Sequence, residues 1–533
     1  MTPTHRPKIA LLSLWLAVTF FNVTKAVHID DPTYLLIARH ILSDPLHPMS
    51  GTLILSGAIL PIPETNQPHL LFYGFAAVMA LFGESILALH LFISLFSAAA
   101  IFFFHRLARV FCPSRALLLT ATFSLGPAFL PGQNLMTDVP MVALWLCFFW
   151  ILLTRLDAGS PSAGYLGAAA TAGAACLVRY TSLVLLPLLL VPLLLRRDWR
   201  SAWVFVVPLG VLVTWSAFNY FDYGEIHILS RSLIERGDGG VAVQLSDWML
   251  TLGAVAPFSI LCLPWAWRRK LQACGVLLPA LLTALLARAP ADGAPFLELV
   301  LGRAFLANGV AVLLATAVSL GTGWTGRREQ DILLAGWIAA GGAFVVLFAP
   351  FMAVRHVLPV IPAVLLALGR LCDGRAPRSW MVTACALTAG LGIALGVSDW
   401  RFADQYRFQA RALRERFGSE ARIWYLCNWG WRWYAEAEGM QAYLEEQTQL
   451  RTGDIVVIPE VAAGPKQLAG SDESKIWRRE VLRVPAPLTT RLRTMRPQPL
   501  GGYYGFLEGG LPWSFSSEPL ERFRILRVGG FVK

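Results

Sequence analysis

From residue 9 to residue 397 the chain alternates long apolar runs with short polar breaks, and a helix needs roughly 20 apolar residues to cross a bilayer. The runs place membrane spans near 9–27, 85–105, 116–134, 139–154, 164–179, 181–195, 201–219, 248–267, 271–288, 299–319, 331–350, 357–369 and 380–397. The run HLLFYGFAAVMALFG, 69–83, is too short for a span and predicts an interfacial or re-entrant helix. After residue 398 the pattern changes. DWRFADQYRFQARALRERFGSEARIWYLCNWG is polar and periodic. ARIWYLC and GDIVVIP, short β-branched or aromatic runs beside turn residues, predict strands, and YAEAEGMQAYLEEQ predicts helix. The expected architecture is an α-helical polytopic membrane protein with about thirteen transmembrane helices over 1–397, in which 28–84 is the first outer loop with juxtamembrane helices. A small extracytoplasmic α/β domain, 398–533, follows.

Composition supports the membrane reading. Of 533 residues, 56% are hydrophobic and 15% charged, whereas a soluble domain averages about 25% charged residues. A net charge of +11 would suggest nucleic acid for a soluble protein, but no basic stripe interleaves with exposed aromatics as strand binding requires. The cations collect instead in alternate loops: Arg106, Arg109 and Arg115; Arg196, Arg197 and Arg200; Arg268, Arg269 and Lys270; Arg327 and Arg328; Arg370, Arg375 and Arg378. The positive-inside rule puts these loops and the N-terminus in the cytoplasm, and the C-terminal domain outside. Counting 69–83 as a span would reverse that arrangement. The eight cysteines follow no metal spacing and include no CxxC, so neither a disulfide framework nor a zinc site is expected. The N-terminus resembles a signal peptide but has no small-residue cleavage site, and reads as a retained first helix.

The chemistry gathers around VHIDDPTYLLIARHIL, 27–42. Asp31 followed by Pro32 is a helix start, an Asp cap with Pro at the first helical position. The helix would place Leu35, Ala38, Ile41 and Leu42 on one face and lie flat in the interface. SDP, 43–45, would end it. A cap accounts for Asp31 and leaves Asp30 over, and an unpaired carboxylate at a bilayer boundary is a functional-site candidate. On the same side, Asp138 opens a span before Pro140, Arg179 separates two apolar runs, and Arg355 and His356 end another. Singly these read as caps or snorkelling side chains. Together, separate hairpins bring carboxylates and arginines to one membrane face. A carboxylate can deprotonate an acceptor hydroxyl or amine, and arginine forks bind phosphate bidentately. A departing lipid phosphate needs charge stabilisation more than a proton.

Five stretches, in order, carry a resemblance: IDDPTYLLIARHIL, NQPHLLFYGFAAVMALFGES, LMTDVPMVAL, LVRYTSLVLLPLLL and VRHVLPVIPAVLLALGR. They resemble the acidic motif with its juxtamembrane helix, the proline-containing second juxtamembrane helix, the second acidic motif, the Lys-Tyr segment and the Arg-Tyr-x-Leu-Pro-x-x-Pro span of GT-C glycosyltransferases. The relatives in view are the protein O-mannosyltransferase and lipid A aminoarabinose transferase superfamily, and the resemblance covers roughly residues 9 to 397. It implies a GT-C fold and inverting transfer of a sugar from a polyprenyl-phosphate donor. Asp30 would be the base or acceptor-orienting group, supported by Asp31 and Asp138. Arg179, where Lys is usual, and Arg355 would hold the donor phosphate, with His69, Tyr180 and His356 (where Tyr is usual) in support. Gln67 stands where close relatives carry a basic residue.

No cofactor is expected, although Asp30, Asp31, Asp138 and His69 are donors that could hold a divalent cation. The expected partners are the lipid-linked sugar, the bilayer, and an acceptor that is a lipid, glycan or protein; the expected location is a bacterial inner membrane. CNWGWRWY, 427–434, reads either as a sugar-stacking surface or as packed core. Two rival classes are a secondary transporter or lipid-linked glycan flippase, which would favour midplane charges and inverted repeats, and a non-catalytic assembly subunit.

Overall fold

The structure is a computed structural model that describes residues 6–55, 57–65, 67–154, 161–230, 240–262, 269–286, 296–322, 328–373, 376–427, 429–445, 447–463, 468–496, 501–505 and 510–529. Arg268, Arg327, Arg375 and the ends of the runs 248–267 and 271–288 lie outside them. The described residues are mostly helical, with a small sheet region near the C-terminus. Among the described residues, five helices are long and apolar enough to cross a bilayer: Ile86–Phe111, Trp199–Tyr223, Phe296–Gly321, Glu329–Phe348 and Arg378–Phe417. Shorter apolar helices, including Pro7–Asn22, Asp138–Thr154, Ser162–Val178, Tyr180–Arg196 and Ile361–Cys372, pack among them. Leu87, Leu91, Leu95, Val213 and Phe221 are exposed on these helices, as residues facing lipid rather than water would be.

The run 116–134 departs from expectation, because its helix covers only Ala116–Ser124. Gly126-Pro127 and Pro131-Gly132 break it. The carbonyls this frees are satisfied from elsewhere. Tyr503 donates its hydroxyl to the carbonyls of Pro127 at 2.9 Å and Ala128 at 3.0 Å, Asn22 reaches Leu130 at 3.1 Å, and Lys25 reaches Pro131 at 3.0 Å. Irregular backbone is tolerated at such depth where protein groups cover it.

Two short helices follow the first helix. Asp31–Ser43 packs against Leu70–Phe82, with Tyr34 stacked on Phe72 at 4.8 Å between ring centroids. Leu35, Ala38 and Ile41 are buried as expected, whereas Leu42 is exposed. Between the helices lies an unexpected antiparallel hairpin, Thr52–Leu55 with Ala58–Pro61.

Beyond Phe417 a five-stranded mixed sheet runs in the order Gln441–Ala442, Ile423–Tyr425, Ile455–Pro459, Glu521–Val528, Ile476–Val484. The first three strands are parallel and the last two pair antiparallel. ARIWYLC and GDIVVIP supply two of these strands, as their pattern predicts. YAEAEGMQAYLEEQ does not form the expected helix. Helix Trp429–Ala437 stops there, Gly439 turns at φ 73°, and Gln441–Ala442 joins the sheet edge.

Candidate active site

Asp31 does not cap its helix. Asp30 takes the N-cap position without a side-chain bond to the helix. The Asp31 carboxylate instead turns back to accept the His28 amide at 2.9 Å. Asp31 is wholly buried, and that burial pushes its carboxyl well above the ordinary range, against the opposing pull of the His28 N–H. It serves the loop's own backbone, whereas Asp30 faces away. Between them and His28 the chain is bent sharply. Ile29, buried and β-branched, sits at φ 45°, a region such residues rarely enter.

The Asp30 carboxylate keeps a third of its side-chain surface exposed and accepts Arg355 Nη1 at 2.7 Å. Burial opposes charge on the Arg355 guanidinium, but Asp30 and then Asp138 outweigh it and hold its pKa above the ordinary arginine value. Asp138, in the first turn of its helix, forms an ion pair with Arg179. The two pairs share one end of the bundle, since Tyr34 and Arg355 each lie in the field of groups from both pairs. His356 faces both arginines. Burial first, then Arg355 and Arg179, depress its pKa well below that of free histidine, so the ring is neutral at pH 7.

Two indoles set the arginine-bearing turns. Trp145, on the helix that begins at Asp138, donates to Ser182 Oγ at 2.9 Å, three residues beyond Arg179. Trp337 donates to the Pro359 carbonyl at 2.8 Å, four residues beyond Arg355. Trp337 also stacks on Phe149 with centroids 3.8 Å apart, so both turns hang on one aromatic core. The cationic end lies elsewhere: Arg106 sits 5.9 Å over Trp150, three turns along the helix from Asp138.

His69 and Tyr180 belong to an adjoining group. The Tyr180 hydroxyl lies 2.8 Å from His227 Nδ1 and accepts Trp215 Nε1 at 3.0 Å. His69 is buried between Phe72 and Trp215, and burial lowers its pKa to about 3. Among the described residues, no group of three His, Cys, Asp or Glu side chains is placed to hold a metal ion, so Asp30, Asp31, Asp138 and His69 do not form one donor set.

Sequence reasoning missed a buried network just before the acidic pair. Lys25 is paired with Asp399 and donates to Asn134 Oδ1 at 2.6 Å. Tyr504 donates to Asp399 at 2.6 Å, and His28 Nε2 lies 3.3 Å from the same carboxylate. Lys25 lies inside the expected span 9–27, and a charged residue within a span was the available signal. CNWGWRWY resolves towards packing. Trp431 is fully buried, Tyr434 accepts the Val27 amide at 2.9 Å, and Trp433 lies under the Arg39 guanidinium at 4.5 Å.

Residues 66–221 match the sequence model of the dolichyl-phosphate-mannose-protein mannosyltransferase family. That stretch includes His69, Asp138, Arg179 and Tyr180 and stops short of Arg355. No curated protein matches the chain. Among solved structures, ArnT from Cupriavidus metallidurans in the apo state aligns with TM-score 0.43 and 15% identity, over 87% of this chain and 94% of that one. The same protein bound to undecaprenyl phosphate gives 0.40 and 16%, over 85% and 93%. The archaeal oligosaccharyltransferase AglB from Archaeoglobus fulgidus, in complex with an inhibitory peptide and a dolichol-phosphate, gives 0.43 and 15%, over 82% and 64%. Over the segment 66–221, which holds the second acidic motif and the arginine-tyrosine turn, the chain is similar to the dolichyl-phosphate-mannose-protein mannosyltransferase family.

Proposed function

We propose that this chain is a membrane glycosyltransferase that takes a sugar from a polyprenyl phosphate and passes it, with inversion, to an acceptor at the outer face of a bacterial inner membrane. The observation that carries the reading is the Asp30–Arg355 pair. It joins the one solvent-accessible carboxylate of the acidic motif to a guanidinium that also feels Asp138. Asp30 takes the acceptor proton or orients the acceptor. Arg355 and Arg179 bear on the lipid phosphate as its bond to the sugar breaks, where preorganised charge contributes most. Asp138 holds Arg179, Asp31 holds the loop, and neutral His356 offers a ring nitrogen beside both cations. Negative charge from Asp30 also suits the oxocarbenium character that develops at the sugar. The undecaprenyl phosphate bound by ArnT and the dolichol-phosphate in the AglB complex are lipid carriers of the proposed class.

The reaction as proposed needs no resident cation. The full-length protein, purified and incubated with undecaprenyl-phosphate sugars and candidate acceptors, is expected to release undecaprenyl phosphate and glycosylate one acceptor, read by mass spectrometry, with turnover undiminished in excess chelator. Substrate movement across vesicles with no covalent change would favour a transporter instead. Loss of turnover on chelation, restored by one metal, would overturn the cation-free form.

A further inference from the structure

We propose that Lys25, Asp399 and Tyr504 are positioning residues, forming a buried clamp that holds Asp30 in place for sugar transfer. This deepens the reading above and rests on Asp30 being its reactive carboxylate. The clamp draws on four distant parts of the chain. Lys25 follows the first helix, Asn134 lies in the broken run after Ser124, Asp399 is on the helix Arg378–Phe417, and Tyr504 comes from the C-terminal region. Lys25, Asp399 and Tyr504 are at most 4% exposed. The lysine ammonium donates to the Asp399 carboxylate, Asn134 Oδ1 and the Pro131 carbonyl. Tyr504 donates to Asp399 and receives Asn134 Nδ2 at 2.8 Å, so each member holds another.

Four residues separate the clamp from Asp30, and contacts hold Lys25, Val27 and His28 along the way. His90 Nε2 lies 3.0 Å from the Lys25 carbonyl. The Val27 amide is held by Tyr434. The His28 ring meets Asp399 at 3.3 Å and stands edge-on to Tyr504, centroids 5.1 Å apart. Ile29 then takes its left-handed turn, and Asp30 emerges against Arg355. A β-branched residue persists at such a φ only where its surroundings over-determine it. A buried ion pair adds little net stability over apolar replacement, and its best-attested use is to specify an arrangement. Here the arrangement specified is the exit direction of Asp30.

The test measures kcat and KM of the full-length protein with the undecaprenyl-phosphate sugar that supports turnover. Asp399→Asn, Lys25→Met and Tyr504→Phe are each made in the natural chain and in Asp30→Asn. The expected result is a fall in kcat of about tenfold or more for Asp399→Asn and Lys25→Met, and about threefold for Tyr504→Phe, with KM within about twofold. In Asp30→Asn the same substitutions should leave the residual rate unchanged, because the clamp acts only through that carboxylate. Equal falls in both backgrounds, or a change confined to KM, would overturn the clamp while leaving the role of Asp30 intact. Full activity of Asp30→Asn would remove both. Where the charge-removing variants do not fold, Tyr504→Phe, which deletes one hydroxyl, decides alone.

Discussion

Asp30 and Arg355 are 325 residues apart in the chain and 2.7 Å apart in the fold, and the aspartate is the more exposed of the two. A carboxylate so placed can meet a substrate while its partner stays anchored in protein. Asp30→Asn is expected to lower sugar transfer by about 10³-fold with folding retained, within the range general-base catalysis contributes. Arg355→Lys keeps charge but loses the fork, and about a tenfold loss is expected. Donor consumption and size-exclusion profiles of the purified variants check both.

The Asp138–Arg179 pair is more deeply buried, with side chains 6% and 12% exposed. Removing one partner strands the other charge, so Asp138→Asn or Arg179→Met should each destabilise by about 3–5 kcal/mol, and the double variant by clearly less. Thermal unfolding in detergent measures this. Undecaprenyl phosphate should also bind at least about tenfold more weakly to the double variant, because the proposed phosphate cation has gone with its partner.

Glu521 supplies a pH dependence outside the bundle. Burial raises its carboxyl from 4.5 to about 7, against the opposing Val461 N–H and Tyr406 hydroxyl. The folded state therefore holds a proton that the unfolded state has released between those values. Its contribution to stability is full below pH 4.5 and is lost as pH rises through about 7, a change of about 3 kcal/mol. Glu521→Gln should match the natural chain near pH 4.5 and unfold at a higher temperature at pH 8. Melting curves at the two pH values decide.

Gly430 lets the helix Trp429–Ala437 lie on the acidic loop. A Cβ there would come within 2.2 Å of the Val27 carbonyl oxygen, a backbone atom that cannot swing aside. Gly430→Ala should push the helix off the loop, releasing the Tyr434 bond to Val27. About a tenfold loss of kcat is expected, with sheet content by circular dichroism retained.

Periodicity in the sequence located the helices because lipid and protein core both demand apolar faces, and that demand is local. The acidic pair, the two arginines and His356 stood out for the complementary reason: few charges lie at the span ends opposite the basic loops. What the pattern could not carry were partners chosen across the chain. Asp31 reads as a cap until its loop is seen bending back to His28. Lys25 passes unnoticed inside the expected first span until Asp399, 374 residues on, is found beside it. The expected span at 116–134 failed because Tyr503, Asn22 and Lys25 cover carbonyls that Gly126-Pro127 and Pro131-Gly132 release. The expected helix at 434–447 failed because a sheet edge claimed Gln441–Ala442.

The helix Arg378–Phe417 runs for 40 residues without a break, about 60 Å at 1.5 Å per residue, or twice the hydrocarbon thickness of a bilayer. A chimera that exchanged the C-terminal part at residue 397 would cut this rod two residues before Asp399. The natural seam for grafting is Gly418, where the rod ends. A graft there would retain Asp399 but replace Tyr504, Tyr434 and Trp433, so a foreign C-terminal part must bring its own contacts for the acidic loop.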